Sequence, residues 1–349
     1  MQETSGGRLA DLTTLHLGGP ARDVVRPETE AELVDLVRSL DGAGTPVLLV
    51  GGGSNLVVAD EGFPGTVVLV RTRRIDKRTS GGGALELTLA AGEPWDDVVA
   101  GTVDGGYGEL AALSGIPGLA GATPIQNVGA YGQEVSAVVR SVRVLDRRSG
   151  EVGELATAEC GFGYRDSRFK ADPRFVVLAV TLHLTKGSQP VRYAELARTL
   201  GVPVGAQAPP EQVRAAVLGL RRAKGMVIDP GAPDPDTCSA GSFFTNPVLP
   251  ADSPDLAALP ADAPRYPAPA GHVKVSAAWL IERAGFGKGY GHGDARISTR
   301  HTLALTNRGG ASTVELLALA GEIVAGVRDR FGITLAPEPV LVGCTIPNG

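Results

Sequence analysis

Apolar and polar positions alternate along this chain at two periods, and the changes between them outline its elements. Residues 30–40 (EAELVDLVRSL) place Leu33, Leu36, Val37 and Leu40 at helical spacing, which predicts one amphipathic helix. After Pro46 the run VLLV reads as a buried strand. It breaks into Gly51-Gly52-Gly53-Ser54-Asn55, and LVV resumes as a second strand. Residues 67–70 and 85–90 are further strands, and a helix over about 94–103 opens on Pro94, a residue suited to the first helical position. SVRVLD and EVGELA flank a turn at RRSG and predict a hairpin, with another strand at 175–184. Past Pro209 and Pro210 the period becomes helical: Val213, Ala216, Val217 and Leu220 share a face, and Arg221, Arg222 and Lys224 gather before Gly225. A boundary is expected just before this helix. Residues 229–269, rich in proline, alanine and aspartate, read mostly as loop, interrupted by the apolar GSFF at 241–244. A helix follows at 275–284, stopped by Gly285. Another begins after Ser312, whose partner Glu315 completes a capping-box signature, and buries Leu316, Ala320, Ile323 and Val327. A last strand is expected at 340–343.

One segment fits neither period. Residues 114–134, SGIPGLAGATPIQNVGAYGQE, are almost free of charge yet loop-like. Gly115, Gly118, Gly121, Gly129 and Gly132 let the backbone take positive φ and approach a bound molecule, while Pro117 and Pro124 exclude a continuous helix or central strand. Long loops of this kind tend to be functional, so contact with a ligand is the favoured reading over plain connection. Glycines beyond a strand, as in GGGSN, can form an anion nest for a pyrophosphate. Yet Leu56 stands where a Rossmann fingerprint needs glycine, LVVAD looks extended, and no Lys-Ser/Thr follows to make a P-loop. Taken alone, GGGSN is explained equally well by an ordinary hairpin turn. Two glycine-rich segments in one strand-rich half raise the odds of a nucleotide cofactor between them.

Composition narrows the classes. A chain of 349 residues should form two or three domains, and a net charge of -5 supplies no general field for nucleic acid or anionic membranes. Cys160, Cys238 and Cys344 are scattered and never in CxxC spacing, which argues against a disulfide framework or zinc site. His16, His183, His272, His292 and His301 fall into no metal-ligand spacing, so each reads as an ordinary surface or core histidine and no metal is expected. No basic head with an apolar run opens the chain, and no apolar stretch reaches the length of a membrane span; a soluble intracellular protein is expected.

Single residues say less. Arg165, in Tyr164-Arg165-Asp166-Ser167, is read alone as a surface ion pair. Ser242 reads as a hydroxyl at the start of an element and lacks the glycine spacing of a nucleophile elbow. Glu338, between Pro337 and Pro339, reads first as a loop carboxylate, and Tyr193, Tyr266 and Lys274 are equally silent on their own.

In order along the chain, however, TLHLGGPA, VGGGSNLVV, GIPGLAGATPIQNVGAYGQE, CGFGYRDSRFK, RRAKG, AGSFFTNPV, VKVSAAWLIERAG and APEPVLVG resemble the UDP-N-acetylenolpyruvoylglucosamine reductases, also called UDP-N-acetylmuramate dehydrogenases, of bacterial peptidoglycan synthesis. The resemblance implies an α+β protein. A vanillyl-alcohol-oxidase-like (PCMH-type) FAD-binding module would cover 14–186, in subdomains of about 14–75 and 76–186. A connecting segment, 187–203, would carry Tyr193, and an α+β substrate-binding domain would cover 204–349. FAD would be held without covalent attachment by Gly51, Gly52, Gly53, Ser54 and Asn55, and by Gly115, Ile116, Pro117, Gly118, Thr123, Pro124, Gln126, Asn127, Gly129, Ala130 and Tyr131, with NADPH as reductant. Arg165 and Glu338 would flank the substrate carboxylate, and Ser242 would protonate C2. Tyr164, Tyr193, Lys224, Asn246, Tyr266 and Lys274 would contact the nucleotide sugar, the tyrosine loops marking the first of the family's two types. Thr245 stands where many relatives have lysine, and Pro339 where a small aliphatic residue is commoner. A cytoplasmic bacterial monomer, without nucleic-acid partner or membrane insertion, completes the expectation.

Two other readings remain in view. An FAD-dependent sugar or alcohol oxidase of the same fold is the alternative, and a catalytically silent nucleotide-sugar-binding protein is a third. Retention of Arg165, Ser242 and Glu338 argues against the silent form; the set from RRAKG to APEPV argues against the oxidase.

Overall fold

The structure is a computed structural model that describes residues 2–79 and 82–347. Contacts divide it into two units: Met1–Gly6, Arg22–Gly52 and Pro64–Ala223 form the first, and Gly7–Ala21, Gly53–Phe63 and Lys224–Gly349 the second.

The two larger sheets belong mainly to the first unit. One has the strand order Gln2–Arg8, Pro20–Arg26, Phe63–Leu69, Val47–Val50, with the last two parallel and Val47 opposite Thr66. The helix Glu30–Gly42 begins in a capping box between Thr29 and Glu32, and buries Leu33, Val34 and Val37 against Val68, Leu145 and Leu178. The other sheet is antiparallel, ordered Val152–Ala156, Val139–Asp146, Phe175–Leu184, Leu85–Ala90, Ile75–Thr79. Phe175–Leu184 lies at its centre, which is why most of its residues are buried on both faces. Helices Trp95–Asp104 and Pro210–Ala223 share a core with Leu87, Val142 and Leu182 through Trp95, Val99, Val213 and Val217. The composition change at Pro209 therefore does not detach its helix: Arg214 grips Asp96 with two bonds of 2.6 and 2.9 Å.

The second unit packs around the helix Thr313–Phe331, whose Leu316, Ala320, Ile323 and Val327 are buried as their spacing predicts. Its exposed backbone donors are satisfied in two ways. Ser312 and Glu315 form the capping box, and the Asp60 carboxylate accepts from Thr313 N at 2.8 Å and Val314 N at 3.1 Å. Two small antiparallel sheets accompany it. Arg265–Pro267, His272–Val275 and Val248–Pro250 make one, and Gly291–His292, Ala295–Ile297 and Leu305–Asn307 the other.

GGGSN is not a hairpin turn. Val47–Val50 pairs with Phe63–Leu69, whereas Leu56–Val58 pairs in parallel with Val340–Val342. Glycine makes this change of sheet possible: Gly53 has φ +65°, and a Cβ there would lie 1.8 Å from the Leu12 carbonyl oxygen. Among the described residues no helix is long and apolar enough to cross a membrane. Ser312→Ala removes one capping acceptor and should lower stability by about 1 kcal/mol, read as a lower urea midpoint.

Candidate functional site

In the first unit, the nearly uncharged 114–134 segment is stitched to the turn that carries Arg165. Asn127, fully buried at φ +44°, donates its amide hydrogens to Gly163 O at 2.9 Å and Glu134 Oε2 at 3.0 Å, and its Oδ1 accepts from Ser136 N at 3.1 Å. Ser167 Oγ donates to Ile125 O at 2.6 Å, and Arg165 Nη2 donates to Gly129 O. Arg165 itself sits at φ +54°, a region that L-residues seldom occupy, with its carbonyl accepting from Lys170 Nζ at 3.0 Å and its guanidinium over the Tyr164 ring. The strain is offset by these bonds, which fix where the guanidinium can go.

At the other end of the segment, Gly115 N donates to Asp96 Oδ1 at 2.6 Å and Gly115 O accepts from Arg221 Nε at 3.2 Å. Burial opposes ionisation of Asp96, but its bonds from Arg214 and Gly115 win and hold its pKa below the usual value. Burial likewise pushes the Tyr131 hydroxyl up to about 12, so that it remains a neutral phenol, edge-on to Tyr193 with ring centres 5.6 Å apart. Thr123 Oγ1 caps its own turn on Ala120 O at 2.8 Å.

The fit of a dinucleotide can be tested on the backbone. A Cβ on Gly52 would lie 2.7 Å from the Gly118 Cα, so the two glycine-rich segments meet with no room for a side chain. The N–H groups of Gly52 and Gly118 donate to no acceptor among the described residues. Close-set backbone donors without acceptors suit a phosphate, and the residues fit the group. Gly51 O accepts from Arg71 Nη1 at 2.9 Å, which steadies the turn.

In the second unit, one peptide gathers the candidates. Phe243 N donates to Leu303 O at 2.6 Å, and Phe243 O accepts from Glu338 N at 2.8 Å. Thr245 N to Ala336 O at 3.1 Å extends the ladder, and Phe243 and Phe244 are both buried. Ser242 and Glu338, far apart in sequence, thus lie on neighbouring backbone segments. Asn55 joins them: its Nδ2 reaches Glu338 O at 3.5 Å and its carbonyl accepts from Val340 N at 3.0 Å. Tyr266 and Lys274 are cross-strand neighbours, while Asn246 spends its Oδ1 on Ala277 N at 2.9 Å. Lys224 follows the end of the helix Pro210–Ala223.

Three residues escaped the sequence reading. His301 Nε2 lies 3.4 Å from Ser242 Oγ. Asp236, 3% exposed, accepts from Thr299 N at 2.8 Å, Thr299 Oγ1 at 2.6 Å and Arg308 Nη1 at 2.8 Å. Arg221 was legible only as a helix-end charge, although it is buried against Gly115. Local spacing signals none of these partners. The cysteines form no disulfide among the described residues, and burial pushes the Cys160 thiol up to about 11 and raises Cys238.

Known proteins share this organisation. A family described as FAD binding domain matches residues 21–156, and one described as UDP-N-acetylenolpyruvoylglucosamine reductase, C-terminal domain, matches 234–342. The chain is 54% identical to the UDP-N-acetylenolpyruvoylglucosamine reductase of Streptomyces coelicolor, over 99% of this chain and 92% of that one. It is also 54% identical to the protein of that name in Thermobifida fusca, over 97% of both. The crystal structure of the UDP-N-acetylenolpyruvylglucosamine reductase from Thermus caldophilus aligns with TM-score 0.66 at 26% identity, over 98% of this chain and 99% of that one.

Asn127→Ala deletes three hydrogen bonds and places alanine at positive φ. Stability should fall by about 2–3 kcal/mol, with loss of bound flavin, both measurable by urea titration and absorbance. Asp236 supplies a pH test. Burial disfavours its ionised form, but the Thr299 and Arg308 bonds outweigh this and lower its pKa from 3.8. A folded pKa below the unfolded one stabilises fully above the unfolded value and is lost as pH falls through the folded one. Urea stability should therefore drop more steeply below about pH 4 in the unsubstituted protein than in Asp236→Asn.

Proposed function

The chain belongs to the UDP-N-acetylenolpyruvoylglucosamine reductase family, and on that premise we propose that Arg165, Ser242 and Glu338 carry its chemistry. It is an FAD-dependent oxidoreductase that draws electrons from NADPH. It reduces the enolpyruvyl ether of UDP-N-acetylglucosamine enolpyruvate to UDP-N-acetylmuramate, a step of peptidoglycan precursor synthesis. The observation that carries the division of labour is the Phe243 peptide, which ties the segments of Ser242 and Glu338 to each other.

FAD supplies, when bound, a two-electron relay that accepts hydride from NADPH and passes it to C3 of the substrate. The residues proposed to hold it are the 51–55 turn and, in the 114–134 segment, the backbone from Gly115 to Gly118 together with Thr123, Pro124, Gln126, Asn127, Gly129, Ala130 and Tyr131. Asn127 acts by holding the segment's shape, because its amide is committed to Gly163, Glu134 and Ser136. Hydride at C3 of a conjugated enol ether pushes charge onto the carboxylate, and that charge must be stabilised. Arg165 is the fixed cation for this task, one of its donors being anchored on Gly129 O. Glu338 contributes in protonated form or through a bridging donor, since an ionised carboxylate would repel the developing charge. Ser242 holds the proton delivered to C2. Its hydroxyl is a weak acid, but the enolised carboxylate is a strong base, so transfer is downhill provided Oγ is reprotonated.

Tyr164, Tyr193, Lys224, Asn246, Tyr266 and Lys274 are assigned to the nucleotide sugar, with the lysines offsetting diphosphate charge. With its Oδ1 on Ala277 N, Asn246 would serve as an Nδ2–H donor. A cytoplasmic location and a monomeric state complete the proposal.

Anaerobic half-reactions test it. The protein should be yellow, NADPH should bleach it, and the enolpyruvyl nucleotide sugar should restore the colour. Rapid reoxidation by oxygen with no response to the sugar nucleotide would sink the reductase assignment. Ser242→Ala should slow reoxidation by sugar nucleotide at least about 10²-fold while flavin reduction by NADPH proceeds; equal damage to both halves would remove Ser242 from the proton-donor role.

A further inference from the structure

A serine that gives its proton to carbon is left as an alkoxide, and the second unit places the imidazole of His301 beside it. His301 Nε2 stands 3.4 Å from Ser242 Oγ, and both residues are half-buried, within reach of solvent. A catalytic hydrogen bond is often this long before substrate binds.

The imidazole is held by an unusually determined loop. Ser298 Oγ, fully buried, accepts from His301 N at 3.2 Å and Arg300 N at 3.1 Å. Ser298 N donates to Ala304 O at 2.8 Å, and Ala304 N returns to His301 O at 3.0 Å, so residues 298–304 close on themselves. Asp236 pins Thr299 through its N–H and hydroxyl, Arg300 pairs with Asp234 at 2.7 Å, and Thr302 Oγ1 donates to Glu282. The neighbouring Leu303 carbonyl accepts from Phe243 N, one residue beyond Ser242. Serine and histidine are thereby fixed to the same rung from two directions.

We propose that His301 is the positioning and proton-supply partner of Ser242, with Nε2 carrying the proton and aimed at Oγ. As the C2–H bond forms, the Ser242 O–H bond breaks. The Oγ–H bond is then remade as the Nε2–H bond of an imidazolium breaks, and the neutral imidazole so formed regains its proton from solvent. These steps are proton transfers with no oxidation or reduction, the reducing pair having arrived with the hydride at C3. This inference rests on the assignment of Ser242 as proton donor to C2.

The test uses holoenzyme reduced anaerobically by NADPH and mixed rapidly with the enolpyruvyl nucleotide sugar. His301→Ala and His301→Gln should each slow reoxidation about 10²-fold, with bound flavin and its reduction by NADPH reporting that the protein has folded. Glutamine fills the site and can hydrogen-bond Oγ but carries no transferable proton, so a merely structural role would be restored by it. Added imidazole should recover His301→Ala at least about tenfold, and should do nothing for the Ser242→Ala/His301→Ala double variant. A His301→Ala rate within about threefold of the unsubstituted enzyme, restoration by glutamine, or indifference to imidazole overturns the proposal. The two assignments separate cleanly. Slow Ser242→Ala with fast His301→Ala rejects the histidine alone, whereas fast Ser242→Ala rejects the serine and the histidine with it.

Discussion

The peptide of Phe243 is hydrogen-bonded on both sides, through its N–H to Leu303 and through its carbonyl from Glu338. Each bond contributes only about 1 kcal/mol net, but breaking one at a buried rung would strand a donor or acceptor at a cost of about 1–3 kcal/mol. Three segments are thus denied the freedom to slide past one another. Ser242, His301 and Glu338 project from those segments, and a shift of one register along any of them would carry its side chain to the opposite face. The apolar Phe243-Phe244 pair serves the chemistry indirectly, by burying the rung so that the bonds cannot be exchanged for water.

The first unit meets the corresponding problem with little sheet, a two-residue pairing of Gly129–Ala130 with Gln133–Glu134. Its 114–134 segment has few side chains to pack, so its shape comes from neighbours: Asp96 and Arg221 hold Gly115, and Asn127, Ser167 and Arg165 hold the far end. A wall made of glycine backbone can be rigid when polar groups from outside take up its hydrogen bonds. Glycine at 52 then does what no other residue could, since even one methyl group there would press against the Gly118 backbone.

Much of the fold was legible because its signals are local. The capping box at Ser312, the Leu33–Val37 face and the VLLV strand all depend on residues within one or two turns of each other. Strands such as Gln2–Arg8 (QETSGGR) carry no apolar alternation, and Ile75–Thr79 is a largely exposed edge, so neither stood out. GGGSN misled for a different reason: two apolar runs around glycines look alike whether they pair with each other or with distant strands. At the site, residue types in family order drew attention to Arg165, Ser242 and Glu338. His301 stayed hidden because its partner lies 59 positions away, and Asp236 because a buried carboxylate and a surface one have the same letter.

The parallel pairing of Leu56–Val58 with Val340–Val342 has a bearing on how the protein is made. Asn55 and Glu338, which touch, are separated by 283 positions. On the ribosome the first unit's central sheet and its helices, up to Ala223, can gather before the rest is translated. The second unit must wait: its early pieces at 7–21 and 53–63 gain partners at Ser239, Asn307 and Thr313 first, and the strand pairing of Leu56–Val58 only when residues 340–342 emerge. The last peptide bonds formed in that stretch both close the unit and deliver Glu338, so a nascent chain acquires its full set of proposed catalytic groups only as that late strand docks.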